Sequence, residues 1–204
     1  MKYILILCVI AFSIFFAVGV YAQETPRPSE IVILEDSLPA NSQSEGEWLW
    51  DNTFKFSGTS SHTSTPKEGV NSHSFRMPSP IKLKEGSYII QYVYLDPQNP
   101  PKGLMMRFNL SDGKEAGIYW EGEEEVFDIK EEEPVWYIGF LPKKGEWVRL
   151  EVPVDDLEIQ DKEITGISYI NYSGKVWWDT TSVSEEGIYD EPSKDEMKDL
   201  DYIE

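Results

Sequence analysis

Apolar and aromatic residues recur along this chain in short runs with a period of two. In SYIIQYVYLD (87–96), Tyr88, Ile90, Tyr92 and Tyr94 share one face, and Ile89, Val93 and Leu95 share the other. Both faces are apolar or aromatic, which predicts a central strand of a sandwich. In EWVRLEVP (146–153), Val148, Leu150 and Val152 lie on one side and Trp147, Arg149 and Glu151 on the other. GLMMRFNL, VWYIGF, ITGISYINY and KVWWDTTSV are further runs of the same kind, separated by turn-forming stretches such as DPQNPPKG, SDGKEAG, PKKGE and YSGK. No long stretch keeps a helical period. The pattern predicts an all-β fold, an antiparallel β-sandwich of jelly-roll type.

The two ends differ from this body. Lys2 precedes an apolar run from Ile4 to Val20, and Val20-Tyr21-Ala22 reads as a cleavage site, so residues 1–22 are expected to be a signal peptide. An uncleaved anchor is the alternative, because the run approaches the length of a spanning helix. Residues 23–29 (QETPRPS) read as a linker, 30–183 as the sandwich domain, and 184–204 as an acidic, mostly disordered tail. Cys8 is the sole cysteine and leaves with the signal, so the exported chain has no disulfide to rely on. With 37 acidic residues against 18 basic ones, the formal net charge is −19. That excludes nucleic acid and anionic membranes as natural partners, and no membrane insertion is expected after cleavage. It suits neutral or cationic partners and divalent cations, and the signal peptide leads to the expectation of a secreted, extracellular or periplasmic protein.

Several motifs occur in an order that resembles a known domain. YVYLDPQNPPKGLMMRF, GEWVRLEVPV and GKVWWD are preceded by EDSLPA, WLW, SSHTS and NSHSF, with IYWEG in the middle. Together, over about 31–183, they resemble a bacterial secreted jelly-roll domain family of unassigned activity. That family is similar to galactose-binding-like and carbohydrate-binding-module domains. Two departures are Glu35, where the family tends to have aspartate, and the acidic run Glu121–Glu125.

The resemblance implies that the first and last strands pair, which would bring Glu35 and Asp36 near Asp179. Three carboxylates with carbonyls and water could cage a structural Ca²⁺, which takes about six to eight oxygen ligands. The plain alternative is a set of solvated acids at strand ends. His62 and His73 fall short of the roughly four ligands Zn²⁺ prefers, so they read as hydrogen-bonded structural residues or as facing a ligand.

Seven tryptophans, eleven tyrosines and nine phenylalanines are the most informative feature. A sugar lays its apolar C–H face on an aromatic ring while polar groups catch its hydroxyls. Tyr119 and Trp120 point to opposite faces, as do Trp136 and Tyr137, so one of each pair is free to meet a ligand. Trp178 shares its face with Val176 and is expected in the core, whereas Trp177 faces outward with Asp179. The ligand-binding candidates are therefore Tyr119, Trp120, Trp136, Tyr137 and Trp177. No nucleophile elbow, phosphate loop or glycosidase strand motif is present, and no catalytic residue is assigned. The expectation is a secreted, non-catalytic module for carbohydrate binding or cell-surface adhesion, whose partner is a polysaccharide or glycan. The alternatives are a structural module docking an envelope protein through its acidic tail or an exposed edge strand, and a polysaccharide-active enzyme.

Overall fold

A computed structural model describes residues 30–130 and 132–185. The expected signal peptide, the linker and all but the first two residues of the acidic tail lie outside the described residues. In chain order the strands are β1 (Glu30–Leu34), β2 (Gln43–Gly46), β3 (Leu49–Asp51), β4 (Ser61–Thr63), β5 (Val70–Lys82) and β6 (Tyr88–Leu95). They continue as β7 (Gly103–Leu110), β8 (Glu115–Glu121), β9 (Val135–Phe140), β10 (Trp147–Pro153), β11 (Glu163–Tyr172) and β12 (Val176–Ser184). The front sheet runs β10-β6-β12-β4-β3, with β1 also paired to β12, and the back sheet runs β2-β5-β11-β7-β8-β9. The chain repeatedly changes sheet as it advances, and the predicted jelly-roll sandwich is what it forms.

One pairing departs from the antiparallel expectation. β8 and β9 run parallel, with Gly117 opposite Val135 and Glu121 opposite Phe140. Parallel neighbours need a crossover rather than a hairpin. The described residues between them cross the outside of the back sheet, where Phe127 stands against Tyr119 and Gly103 and Glu133 pairs with Arg107.

Alternation along each strand builds the core. Ile89, Val93 and Leu95 of β6, with Val176 and Trp178 of β12, face Leu104, Met106 and Phe108 of β7, Ile118 of β8, and Ile167 and Tyr169 of β11. Burying each large apolar side chain is worth about 1.5–3 kcal/mol. Gln91 is the polar exception on the inward face of β6, and it is satisfied there. Its amide donates to the Asp179 carbonyl at 3.0 Å and its oxygen accepts from Thr181 Oγ1 at 2.6 Å. Thr181 in turn meets the Tyr169 hydroxyl at 2.6 Å.

β6 is apolar on both faces because both are covered. Its inward side meets the back sheet. Its outward side lies under residues 52–60, where the Phe56 ring stacks on Tyr92 at 3.9 Å.

Candidate functional site

The pairing of β1 with β12 brings Glu35, Asp36 and Asp179 to one segment, as the resemblance implied. Each carboxylate holds a different part of loop 56–60. Asp179 Oδ2 accepts the backbone N–H groups of Phe56 (2.7 Å) and Ser57 (3.3 Å). Glu35 accepts the Ser57 hydroxyl, and Asp36 accepts the N–H groups of Thr59 and Ser60. Gly58 has φ 54°, and a Cβ there would fall on the Asp36 carboxylate. A bulge in β12 turns Asp179 outward under the loop and Thr181 inward. Thr180 sits at that bulge with φ 38°, an uncommon conformation for a β-branched residue. Burial raises Asp179 to about 6 despite the hydrogen bonds it accepts. Among the described residues no group of three or more His, Cys, Asp or Glu side chains is placed to hold a metal ion. The three carboxylates are placed as a hydrogen-bonded latch on the loop.

What the latch positions is aromatic. Trp147 of β10 pairs with Tyr94 of β6, and Tyr94 pairs with Trp177 of β12, so three rings form one row across three adjacent strands. Just before that loop, Asp51 Oδ1 accepts the Phe54 N–H at 3.0 Å, and the Phe54 ring lies over the row, 4.5 Å from Tyr94, 4.8 Å from Trp177 and 5.6 Å from Trp147 by ring centroids. A cleft of 680 Å³ results, lined by Phe54, Phe56, Tyr94 and Trp147 together with Thr53, Lys55 and Glu146. This lies within the range of about 300–1,000 Å³ typical of small-molecule sites.

Trp177 is half-buried, as expected of the outward member of its pair, while Trp178 is fully buried. Its indole N–H donates to Asp51 Oδ2 at 3.0 Å, and the Lys175 ammonium stands 4.0 Å from its ring. Burial alone would raise Asp51, but hydrogen bonds from Thr53, Trp177 and Phe54 outweigh it and hold the carboxyl at about 2. Trp177 is therefore a wall of the aromatic row, and Trp147 lines the cleft.

The other candidates lie on the back sheet, so the five named residues do not form one site. Trp120 is 5% exposed and belongs to the core, which corrects its expected ligand-facing role. β8 turns Ala116, Ile118 and Trp120 inward, which leaves Tyr119 as the outward ring of the pair. Trp136 lies opposite Ile118, packs partly buried against the core, and lines a hollow at one end of the sandwich. Tyr119 and Tyr137 do meet on the outer face, 5.4 Å apart. Phe127 of the crossover stands against Tyr119 at 6.1 Å and narrows that surface.

His62 of β4 and His73 of β5 meet between the sheets, Nδ1 to Nε2 at 2.8 Å, enclosed by Trp48, Trp50 and Tyr169. Burial lowers His62 well below its ordinary value and His73 to about 4, so both rings are neutral.

Trp147, Tyr94 and Phe54 were not singled out from sequence. Alternation did place Trp147 and Tyr94 on outward faces, but the row exists only once the strand register is known. Phe54 stands in a loop, DNTFKFSG, with no periodic signal.

No protein-family model matches this chain, and no curated protein matches it. Solved structures do resemble it. The glycoside hydrolase domain of Endo-D from Streptococcus pneumoniae R6 is 13% identical, with a TM-score of 0.44 over 71% of this chain and 21% of that one. This chain thus spans about a fifth of that structure. A family 29 carbohydrate-binding module is 13% identical, with a TM-score of 0.44, 81% of this chain and 94% of that one. The family 11 module from Clostridium thermocellum, solved with a mixed-linked tetrasaccharide, is 12% identical, with a TM-score of 0.44, 76% of this chain and 95% of that one.

Proposed function

We propose that this domain is a non-catalytic glycan-binding module whose sugar site is the Trp147 cleft. The observation that carries the reading is the row Trp147–Tyr94–Trp177 under Phe54, an aromatic platform in a cleft with polar groups at its rim. A pyranose lays its C–H face on the Trp147 ring, and its hydroxyls reach Thr53, Lys55 and Glu146. The rim charges already have partners: Lys55 donates to the Asn52 carbonyl at 2.8 Å, and Glu146 pairs with Lys143 at 3.0 Å. A neutral sugar suits this rim better than a charged one. Among the described residues Glu146 is the only carboxylate lining the cleft, whereas glycoside hydrolysis takes two at a separation of about 5–10 Å. In this reading the exported chain holds a polysaccharide outside the cell.

Affinity electrophoresis through a panel of neutral polysaccharides tests the proposal. Trp147→Ala is expected to weaken retardation about tenfold, as truncating a central aromatic anchor does, while the melting temperature stays near wild type. Tyr137→Ala should leave retardation unchanged. The reverse order would move the site to the back sheet, and no retardation by any polymer would end the glycan reading.

A further inference from the structure

Glu47 and Trp48 carry the chain from β2 of the back sheet to β3 of the front sheet, across one open side of the sandwich. The Trp48 ring shuts that side. Its centroid lies 5.0 Å from His62, 4.6 Å from His73 and 6.0 Å from both Phe75 and Tyr169, and Trp50 stacks on it at 5.7 Å. Beneath it His62 is 0% exposed and His73 2%. The strap starts at Gly46, whose φ of 79° and close approach to the His73 backbone leave no room for a Cβ. Its side-chain hydrogen bonds are exposed ones: the Trp48 indole donates to the nearby Glu45 carbonyl at 3.2 Å, and Glu47 accepts the Thr65 N–H at 2.9 Å.

The strap seals a pair of rings that has no way to carry charge. Two neutral imidazoles share one hydrogen along the 2.8 Å line from Nδ1 to Nε2. Whichever ring donates, one outer nitrogen, His62 Nε2 or His73 Nδ1, carries a hydrogen and the other a lone pair. Both are buried with no hydrogen-bond partner among the described residues. A first proton therefore makes a cation whose outer N–H groups lack acceptors, and a second would set two hydrogens face to face. The titratable groups of the surrounding elements are committed elsewhere. Asp51 of β3 accepts from Phe54 and Trp177, Asp179 of β12 from Phe56 and Ser57, and the Tyr169 hydroxyl of β11 meets Thr181. Glu45 of β2 and Arg76 of β5 line a recess on the outer face of the back sheet. Burial holds His73 at about 4, and burial with the neighbouring His73 holds His62 well below its ordinary value.

We propose that residues 47–50 form an acid-opened strap, closed while His62 and His73 are neutral and lifted when the pair takes up a proton. Lifting lets water reach the cation that the closed strap leaves bare. The ordinary imidazole value of 6.5 applies to the open form and about 4 to the closed one, so the open fraction grows about tenfold per pH unit as pH falls between them. Glu47 acts in the same direction, because the Thr65 N–H holds its carboxyl below the ordinary value and that tie weakens on protonation. The strap leads into β3, whose Asp51 steadies Phe54 and Trp177, so its opening reaches one wall of the aromatic cleft. The device itself does not depend on the glycan reading.

The test is proton NMR of the full chain from pH 7 to pH 3, reading ring-to-ring NOEs. As the histidines protonate, the contacts of Trp48 with His73 and Phe75 are expected to disappear, while that between Tyr169 and Trp178, 5.4 Å apart in the core, persists. The double variant His62→Asn, His73→Gln keeps amide groups near the two bonded nitrogens and has no ring to protonate. It should retain the contact between Trp48 and Phe75 down to pH 3. Wild-type Trp48 contacts that persist at pH 3 overturn the proposal. Loss of the Trp48 and the Tyr169–Trp178 contacts together also overturns it, since that is unfolding of the whole domain. Acid loss of the Trp48 contact in the double variant does the same. If the double variant does not fold, the wild-type contacts still decide.

Discussion

Each sheet of this sandwich wears a cover, and the two covers are pinned by the same device. On the front, Asp179 accepts the N–H groups of Phe56 and Ser57. On the back, Glu121 Oε1 accepts those of Val126 and Phe127, at 2.8 and 2.7 Å. Both carboxylates are buried, and both draw a phenylalanine down onto the sheet. The outcomes differ because of what lies beneath. Under the front cover the rings of Tyr94 and Trp147 hold Phe54 up, and a cleft opens. Under the back cover lies Gly103, where a Cβ would come within 2.6 Å of the Phe127 ring, so that cover lies flat. Arg107 closes the remainder through its 2.8 Å ion pair with Glu133. One pinning motif thus yields an aromatic cleft over rings and a sealed face over glycine.

Breaking the front pin should have the largest effect. Asp179→Ala leaves two N–H groups without an acceptor, an expected loss of about 3 kcal/mol, or roughly 6–12 °C in Tm by calorimetry. Glycan retardation should fall with it, because Phe56 and Ser57, which line the cleft, lose their anchor. Gly103→Ala attacks the back cover instead. It should cost about 1–3 kcal/mol through overpacking while leaving retardation unchanged, which separates the two faces in one experiment.

A pH series sharpens the asymmetry. The Asp179 pKa, about 6, lies above its ordinary 3.8, so its contribution is present below 3.8 and lost as pH rises through 6. Asp179→Asn keeps an acceptor without the charge. Its Tm relative to wild type should therefore climb between pH 4 and 7, by the equivalent of about 1–3 kcal/mol. A flat difference would show that the carboxylate is not desolvated. His73 acts in the opposite sense. Its pKa is lowered to about 4, so stability present above 6.5 is lost as pH falls through 4. The smallest effect concerns calcium: melts with Ca²⁺ and with EDTA should coincide if hydrogen bonds alone hold the front cover. A higher Tm in Ca²⁺ would make the same three carboxylates a cage.

The fold was largely legible because alternation reports burial directly. β6 read as a strand covered on both faces, and so it is. Trp177 and Trp178 divided as their neighbours Asp179 and Val176 indicated. The parallel turn of β9 left no local mark, since a crossover of this length looks like any acidic loop. The aromatic row was hidden for a related reason. Trp147, Tyr94 and Trp177 are far apart in sequence, and only register aligns them. Trp120 was misread because Tyr119 and Trp120 stand side by side at the strand end, and a single strand does not say which side faces the partner sheet.

The last strand of the domain sits at the centre of the front sheet, touching β6, β4 and β1 at once. Sheet pairings this distant in sequence form slowly, because the long loops between them must close first. Until Val176–Ser184 arrives, the edges of β6 and β4 stand bare and the floor beneath the Phe54 cover is missing. A chain emerging from its N-terminus therefore gains its aromatic cleft only once Val176–Ser184 has paired. A truncation before Val176 would remove the keystone of the front sheet along with the residues it deletes.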